Sequence, residues 1–224
     1  VACLVGSEMC IRDSFLSAGV ISWLGAFRVQ LSWDFTSAVT PSTIGGAPMA
    51  TYAMTKEGQR LGESTAIILY SVLLDQIWFA IAIPILLVAG IYMDVVPTSV
   101  GFLGEASMLI LYISLLSYAG VLAYGVLIKP SVISKIIKWF AKLPFLWKYR
   151  EKIHSEASNL EQYAHQLKAK PFRFLLQAFI YSTMSWLARV ALAPIVILSL
   201  LPAPELLSVL RSLAMNLTIL VVPT

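Results

Sequence analysis

The sequence predicts an all-α fold: a polytopic integral membrane bundle of helices with a broken or re-entrant segment near residues 35–54. Three observations lead to this prediction. The chain is 58% hydrophobic and only 12% charged, whereas an average soluble domain carries roughly 25% charged residues. Its mean hydropathy is +0.81. One charge-free run is interrupted by proline and by paired glycines, between long apolar stretches.

Five apolar runs are candidate membrane spans, because a crossing helix needs about 20 largely apolar residues. They are residues 15–30, 64–93, 101–128, 172–200 and 206–222.

The connections between these runs differ in positive charge. This difference predicts on which side of the membrane each connection lies. Residues 129–173 hold ten of the sixteen Lys and Arg residues, whereas residues 93–100 and 201–205 hold none. The positive-inside rule then makes the 129–173 helical loop and the basic stretch 56–60 cytoplasmic. This alternation fits four single crossings after the basic stretch. We expect a multi-pass protein of a cell membrane, the bacterial inner membrane.

The loop itself divides into two predicted helices. In residues 131–149, Lys135, Lys138 and Lys142 share one helical face and apolar residues occupy much of the rest. This pattern is typical of a helix lying in the membrane interface, with a helix packed on the protein as the alternative. Residues 149–170 are polar and predict an exposed cytoplasmic helix, whose two histidines we interpret as solvated.

The first fourteen residues differ in character from the rest. The run Gly-Ser-Glu-Met-Cys-Ile-Arg-Asp-Ser resembles a translated sequencing adapter, so we expect residues 1–14 to be foreign to the fold. A short native tail is the alternative. Both cysteines, Cys3 and Cys10, lie there, and they indicate neither a disulfide framework nor a metal site. Residues 15–224 are expected to form one transmembrane domain that is truncated at its C-terminal end.

The break lies in residues 40–48, Thr-Pro-Ser-Thr-Ile-Gly-Gly-Ala-Pro. Proline removes a backbone donor and glycine loosens the backbone. Within a bilayer, broken backbone is tolerated only where protein or a water-filled cavity covers it. We therefore favour a re-entrant hairpin entered from the cytoplasmic side over a single crossing, because interrupted segments often line a buried site.

These residues also carry a resemblance to the flippase-like membrane family, which includes the transmembrane region of lysylphosphatidylglycerol synthase. The stretches that carry it are residues 35–48, Tyr52, residues 56–58, the helix of residues 66–79 with Asp75, and the terminal Val-Val-Pro-Thr of residues 221–224. The resemblance implies a membrane protein that handles phospholipid and moves it between leaflets. It also implies a separate soluble catalytic domain as a partner. Nothing in this chain resembles that domain, so we do not expect the chain to be an enzyme.

Asp75 lies well inside the second apolar run. A charged side chain there costs about 2.5–3.5 kcal/mol on insertion scales, so it must face the protein interior, pair with a cation or be protonated. Arg189 is similarly deep and is the first candidate partner, with Arg28 second. A structural ion pair and a lipid headgroup site are the two interpretations.

Arginine and the broken segment suit an anionic headgroup. A guanidinium matches phosphate oxygens, and a half-helix that starts after the glycines would point free N–H groups at an anion. A kink used only for packing is the alternative. The predicted substrate-binding residues are Arg28, Thr40, Pro41, Ser42, Thr43, Gly45, Gly46, Asp75 and Arg189. No catalytic residue, metal ligand or cofactor site is predicted.

The predicted partner is membrane phospholipid, and the predicted function is its translocation. Nucleic acid is not expected, because the basic residues lie beside apolar helices, where lipid headgroups explain them. One alternative is a small-anion secondary transporter, which would call for an inverted repeat that we do not find. The others are the membrane half of a lipid-modifying synthase and a scaffold that transports nothing.

Overall fold

The computed structural model describes residues 2–40, 46–93, 101–141 and 150–200, and these residues are almost entirely helical. The eight α-helices of this part are α1 (Ala2–Leu16), α2 (Trp23–Val39), α3 (Gly46–Lys56), α4 (Leu61–Met93), α5 (Gly101–Ala123), α6 (Pro130–Phe140), α7 (Arg150–Lys168) and α8 (Phe172–Leu200). A π-helical turn, Tyr124–Ile128, extends α5. The all-α prediction is confirmed.

The first predicted span, residues 15–30, is wrong because the chain turns inside it. Helix α1 ends at Leu16, and Ala18 and Gly19 adopt positive φ angles of 53° and 78°. Helix α2 then begins after Ser22, whose Oγ accepts a hydrogen bond from the backbone N–H of Gly25 at 3.1 Å. Serine at this position satisfies one of the free N–H groups of a new helix.

The predicted interruption is present as two helices joined near residues 40–45. Helix α2 ends at Val39 and α3 begins at Gly46, while residues 41–45 lie outside the described part of the chain. The two helices form an antiparallel hairpin. A side chain at Gly46 would meet Ser37 and the Trp33 ring of α2, and at the other end of the hairpin Glu57 lies against Gly25.

Helix α4 is the central element and packs against α3, α5, α7 and α8. Its segment Leu61–Ile85 is long and apolar enough to cross a membrane, and it is the one single helix of the described residues for which this holds. Its inward face supplies Ile67, Tyr70 and Leu73 to the main core. The predicted spans 101–128 and 172–200 coincide with α5 plus the π turn and with α8, whereas the span 206–222 lies outside the described residues.

The chain bends by 102° between α5 with its π turn and α6. The bend follows from Pro130, the first residue of α6, because the residue before a proline is disfavoured in helical conformation. Lys129 accordingly adopts φ −131° and ψ 75°. Helix α6 is the predicted amphipathic helix, but it ends at Phe140, and residues 142–149 lie outside the described part.

The helix predicted for residues 149–170 is present as α7, but one of its faces is buried and not exposed. Its apolar positions Ala157, Leu160, Ala164 and Leu167 are buried because α7 packs against α4 and α6. The interpretation of both histidines as solvated is wrong for one of them. His165 is exposed, but the Nε2 atom of His154 is shielded from solvent and has no hydrogen-bond partner among the described residues.

Tyr163 on α7 should contribute measurably to this packing. Its hydroxyl donates to the Leu16 carbonyl at 3.0 Å, and burial, with the charge of Glu63, raises the pKa of Tyr163 above its usual 10.0. We expect Tyr163→Phe to cost about 1 kcal/mol at neutral pH. A raised folded pKa means that this contribution is lost as the pH rises above about 10. Melting curves in detergent should therefore separate the two proteins at pH 7 and converge at alkaline pH; a constant separation would contradict the assignment.

Candidate functional site

A polar cluster surrounds Asp75 in the otherwise apolar interior. Its Oδ1 atom accepts hydrogen bonds from Trp186 Nε1 at 2.9 Å and from Ser182 Oγ at 3.3 Å. Arg12 Nη1 donates to the same oxygen at 2.7 Å. The Asp75 side chain is 13% exposed. Asp75 therefore faces the protein interior, as its depth in an apolar helix requires.

Helix α8 presents the other half of this cluster on one face. Ser182, Ser185, Trp186 and Arg189 are spaced i, i+3, i+4 and i+7, which aligns them along one side of a helix. The hydroxyl of Ser185 is buried without a hydrogen-bond partner among the described residues. We call this set of four residues the polar face of α8.

Arg189, at the end of the polar face, pairs with Asp34 of α2. Its Nη2 atom lies 3.0 Å and 3.1 Å from the two carboxylate oxygens of Asp34, and Gln30 Nε2 donates to that carboxylate at 3.0 Å. The guanidinium also lies over the Trp186 ring, 5.7 Å from its centroid. Its Nε atom is buried and lacks a partner among the described residues. Arg189 thus keeps one donor unused.

The expected pairing of Asp75 with Arg189 is wrong, and so is the second choice, Arg28. Arg28 instead pairs with Glu57 of α3 at 3.1 Å, and its side chain is 70% exposed. Helical geometry explains the difference, because Arg189 lies one turn beyond Trp186 and reaches α2 rather than α4. Asp75 and Arg189 are nevertheless linked, since the indole of Trp186 contacts both.

The broken segment is only partly described. Thr40 Oγ1 donates to the Thr36 carbonyl at 2.7 Å, which caps the end of α2. Pro41, Ser42, Thr43 and Gly45 lie outside the described residues. Gly46 begins α3, as the anion-binding interpretation requires, and the nearby Ser37 hydroxyl is buried without a partner in the described part. Whether these residues bind a substrate stays a prediction.

Helix α1 occupies the space beside the polar face. Arg12 bonds Asp13 at 3.2 Å and Ser182 at 2.9 Å in addition to Asp75. Met9 Sδ lies 3.4 Å from Arg189 Nη2. These residues belong to the segment that we expect to be foreign to the fold, and that expectation stays a prediction. We therefore build the site on α2, α4 and α8 alone.

Sequence reasoning missed Asp34 and three residues of the polar face of α8, namely Ser182, Ser185 and Trp186. Asp34 immediately precedes the charge-free run, so its carboxylate was a candidate partner for Arg189. Trp186 lies in the middle of α8, is buried, and stacks on Trp78 at 5.7 Å between ring centroids. Trp186 and Arg189 are three residues apart on a helix and therefore share a face, which could have indicated that both belong to one site.

A separate cavity of about 450 Å³ lies between the start of α4, α6 and α7. Gly62, Ile137 and Leu160 contribute to its lining. It lies about 20 Å along α4 from Asp75, given the rise per residue of a helix. The cavity and the polar cluster are therefore distinct. Among the described residues, no group of three His, Cys, Asp or Glu side chains could hold a metal ion.

Comparison with known proteins shows what this chain is similar to. A curated relative, a "UPF0104 membrane protein" of Archaeoglobus fulgidus, is 25% identical over 194 residues. The alignment covers 80% of this chain and 54% of the relative, so the chain spans about half the length of that protein. No solved structure matches.

The family match is more extensive and begins at the last of the adapter-like residues. The profile described as "Lysylphosphatidylglycerol synthase TM region" matches residues 14–224. It covers Asp34, Asp75, Trp186 and Arg189 but not Arg12. With nearly the whole chain matched, this membrane protein belongs to the family of the lysylphosphatidylglycerol synthase transmembrane region.

Proposed function

We propose that the chain translocates phospholipid between leaflets, and that the headgroup moves along the polar face of α8. The observation that carries this proposal is that opposite charges meet along the polar face of α8: Arg189 lies on that face, and Asp75 of α4 lies against it. Asp75 and Arg189 contact the same indole, and among the described residues the buried Nε of Arg189 has no partner. Ionisable residues within a membrane bundle are rare, and they mark substrate or ion pathways in many membrane proteins.

Arg189 supplies the phosphate-binding group in this proposal. Its present partner, Asp34, is 45% exposed, so the ion pair can be reached from outside the bundle. A lipid phosphate could therefore take the place of the carboxylate while also engaging Nε. The N-terminus of α3 and the hydroxyls of the Thr40–Thr43 region form the second phosphate contact, with Arg28 at the entrance.

Asp75 supplies the negative group. Trp186 and Ser182 hold its carboxylate in place, so that it can attract the positive part of a headgroup while the acyl chains remain in the bilayer. The orientation that we propose is the one the charge distribution favours: a multi-pass protein of the cell membrane with residues 129–173 in the cytoplasm.

The family name also supports a second candidate, the membrane half of a lipid-modifying synthase. In that case this chain would present lipid to a soluble catalytic domain elsewhere in the complete protein. Leaflet exchange by the reconstituted membrane part alone would favour translocation, and exchange that requires the soluble domain would favour the second candidate. A small-anion transporter would instead take up inorganic phosphate in the same liposomes.

Asp75→Asn tests the proposal in the complete protein that contains this chain. Asparagine can still accept from Trp186 and Ser182, so these hydrogen bonds of the cluster are kept, while the charge and its ion pair with Arg12 are lost. Losing a charge-assisted hydrogen bond costs about 1.5–3 kcal/mol, which predicts a fall in translocation rate on the order of tenfold to hundredfold. The measurement is a leaflet-resolved assay in liposomes with acyl-chain-labelled phosphatidylethanolamine, whose headgroup carries both a phosphate and an ammonium group.

The matched control is Glu151→Gln, a carboxylate that is exposed on α7. It removes the same charge away from the polar cluster and should leave the translocation rate unchanged. If Asp75→Asn exchanges lipid at the rate of the unaltered protein while its melting temperature is also unchanged, the assignment of Asp75 fails.

A further inference from the structure

Helix α6 has two different apolar sides, and one of them packs against the described core. Ile133 and Ile137 pack toward α4 and α7 as part of a small core cluster. Val132, Ile136 and Trp139, spaced i, i+4 and i+7, form a second stripe that faces away from that cluster. Ile136 is 51% exposed and Trp139 is 64% exposed. We call these three residues the outer stripe of α6.

Positive charge borders the outer stripe. Lys129 and Lys135 are exposed and Lys138 is half-buried, and α6 contains no acidic residue. Lys129 Nζ lies 5.9 Å from the ring centroid of Tyr124. Lysines beside an exposed apolar stripe, with their charged ends kept in water, are typical of a helix at a lipid–water boundary.

The orientation of α6 suits the same boundary. Helix α5 and its π turn expose Ile113, Val121, Tyr124 and Ile128, as expected of a helix that contacts lipid chains. Because α6 turns by 102° from that axis, a crossing α5 leaves α6 close to the membrane plane. The exposed apolar surface then continues from Ile128 at the end of α5 onto the outer stripe.

We propose that the outer stripe of α6 docks on the bilayer leaflet beside it and that its lysines bind anionic phospholipid headgroups there. An open depression of about 520 Å³, lined by Val132, Lys135, Ile136, Lys138 and Trp139, offers apolar and cationic groups together. A bilayer fits better than a protein partner, because the stripe is continuous with the exposed apolar side chains of α5 and its π turn, and because lysines border the apolar surface. This proposal is independent of lipid translocation.

Spin labels test where the outer stripe lies. Ile136→Cys carries the label on α6, and Ser158→Cys carries the matched label on an exposed position of α7, in a background with Cys3 and Cys10 replaced by serine. The protein is reconstituted into nanodiscs of phosphatidylcholine alone or of equal parts phosphatidylcholine and phosphatidylglycerol. At position 136 we expect preferential collision with oxygen, which concentrates in lipid. At position 158 we expect preferential collision with a water-soluble nickel chelate.

Charge recognition is tested by Lys135→Gln and Lys138→Gln, which change exposed and half-buried side chains and should not impair folding. Each lysine near an anionic surface contributes enough to change the docked-to-undocked ratio roughly fivefold. The two substitutions should therefore lower the immersion of the position 136 label in the mixed nanodiscs and have little effect in phosphatidylcholine alone.

Three outcomes would overturn the proposal. Equal access of the nickel chelate to positions 136 and 158 would place the stripe in water. A label shielded from both oxygen and the chelate would indicate a protein partner in place of lipid. Immersion that is the same in both nanodiscs and in the lysine variants would show that α6 docks without recognising anionic headgroups.

Discussion

Gly62→Ala should separate α7 from α4 and cause a large loss of stability, because among the described glycines it is the one where an added Cβ atom would press against the backbone of another helix. A Cβ atom at Gly62 would clash with the Glu156 carbonyl oxygen and lie 2.7 Å from the Leu160 backbone nitrogen. Both are backbone atoms of α7, so no side-chain rotation can relieve the clash. Overpacking costs about 1–3 kcal/mol, occasionally more, and we expect the upper end of that range.

The same substitution would also weaken the start of α4. The Gly62 N–H donates to Glu156 Oε2 at 2.8 Å, so a displaced α7 removes that acceptor from the first turn. Hydrogen exchange should show faster exchange of α7 amides, together with a lower melting temperature in detergent. Gly120→Ala on α5 is the matched control, because nothing lies within 4 Å of a Cβ atom there, and alanine is the better helix former. Unchanged protection of α7 would mean that the close contact does not fix this helix.

Arg189→Asp combined with Asp34→Arg should fold but fail to translocate lipid. The exchange preserves an ion pair between α2 and α8 but places the guanidinium on α2, away from the ring of Trp186 and from the polar face. Because the exchanged variant keeps an ion pair between the same two helices, the melting temperature should change little. The translocation rate should fall on the order of tenfold to hundredfold, as expected when an arginine–phosphate contact is lost.

The single substitutions complete this experiment. Arg189→Lys should retain part of the rate, because lysine keeps the charge but loses the planar fork. Arg173→Gln, an exposed cation near the start of the same helix, should have no effect on the rate. Recovery of the full rate in the exchanged pair would show that Arg189 and Asp34 serve only to hold α2 against α8, which is the structural interpretation.

The long helices were predictable because length and apolar content suffice to define them. Helices α4, α5 with its π turn and α8 begin and end close to the apolar runs that predicted them. The turn after Leu16 was not predictable in the same way. It depends on left-handed backbone at Ala18, a residue that rarely adopts it, inside a run that reads as uniformly apolar.

The site was predictable in its residue types but not in its pairings. Buried charge at Asp75 and Arg189 was evident from their depth in apolar runs. The choice of Asp34 as the partner of Arg189 depends on how α2 and α8 cross, which one sequence does not encode in any local pattern. Likewise, the polar sequence of α7 indicated a helix, but the burial of one face depends on contacts with α4 and α6.

The position of Trp186 has a thermodynamic consequence. Its indole N–H bonds the carboxylate of Asp75 while its ring lies under the guanidinium of Arg189. Because the ring of Trp186 contacts both groups, any shift of the ring that follows a change at Asp75 also changes its contact with Arg189, and the reverse holds as well. Filling either charged position must therefore alter the affinity of the other, and by the same factor in both directions.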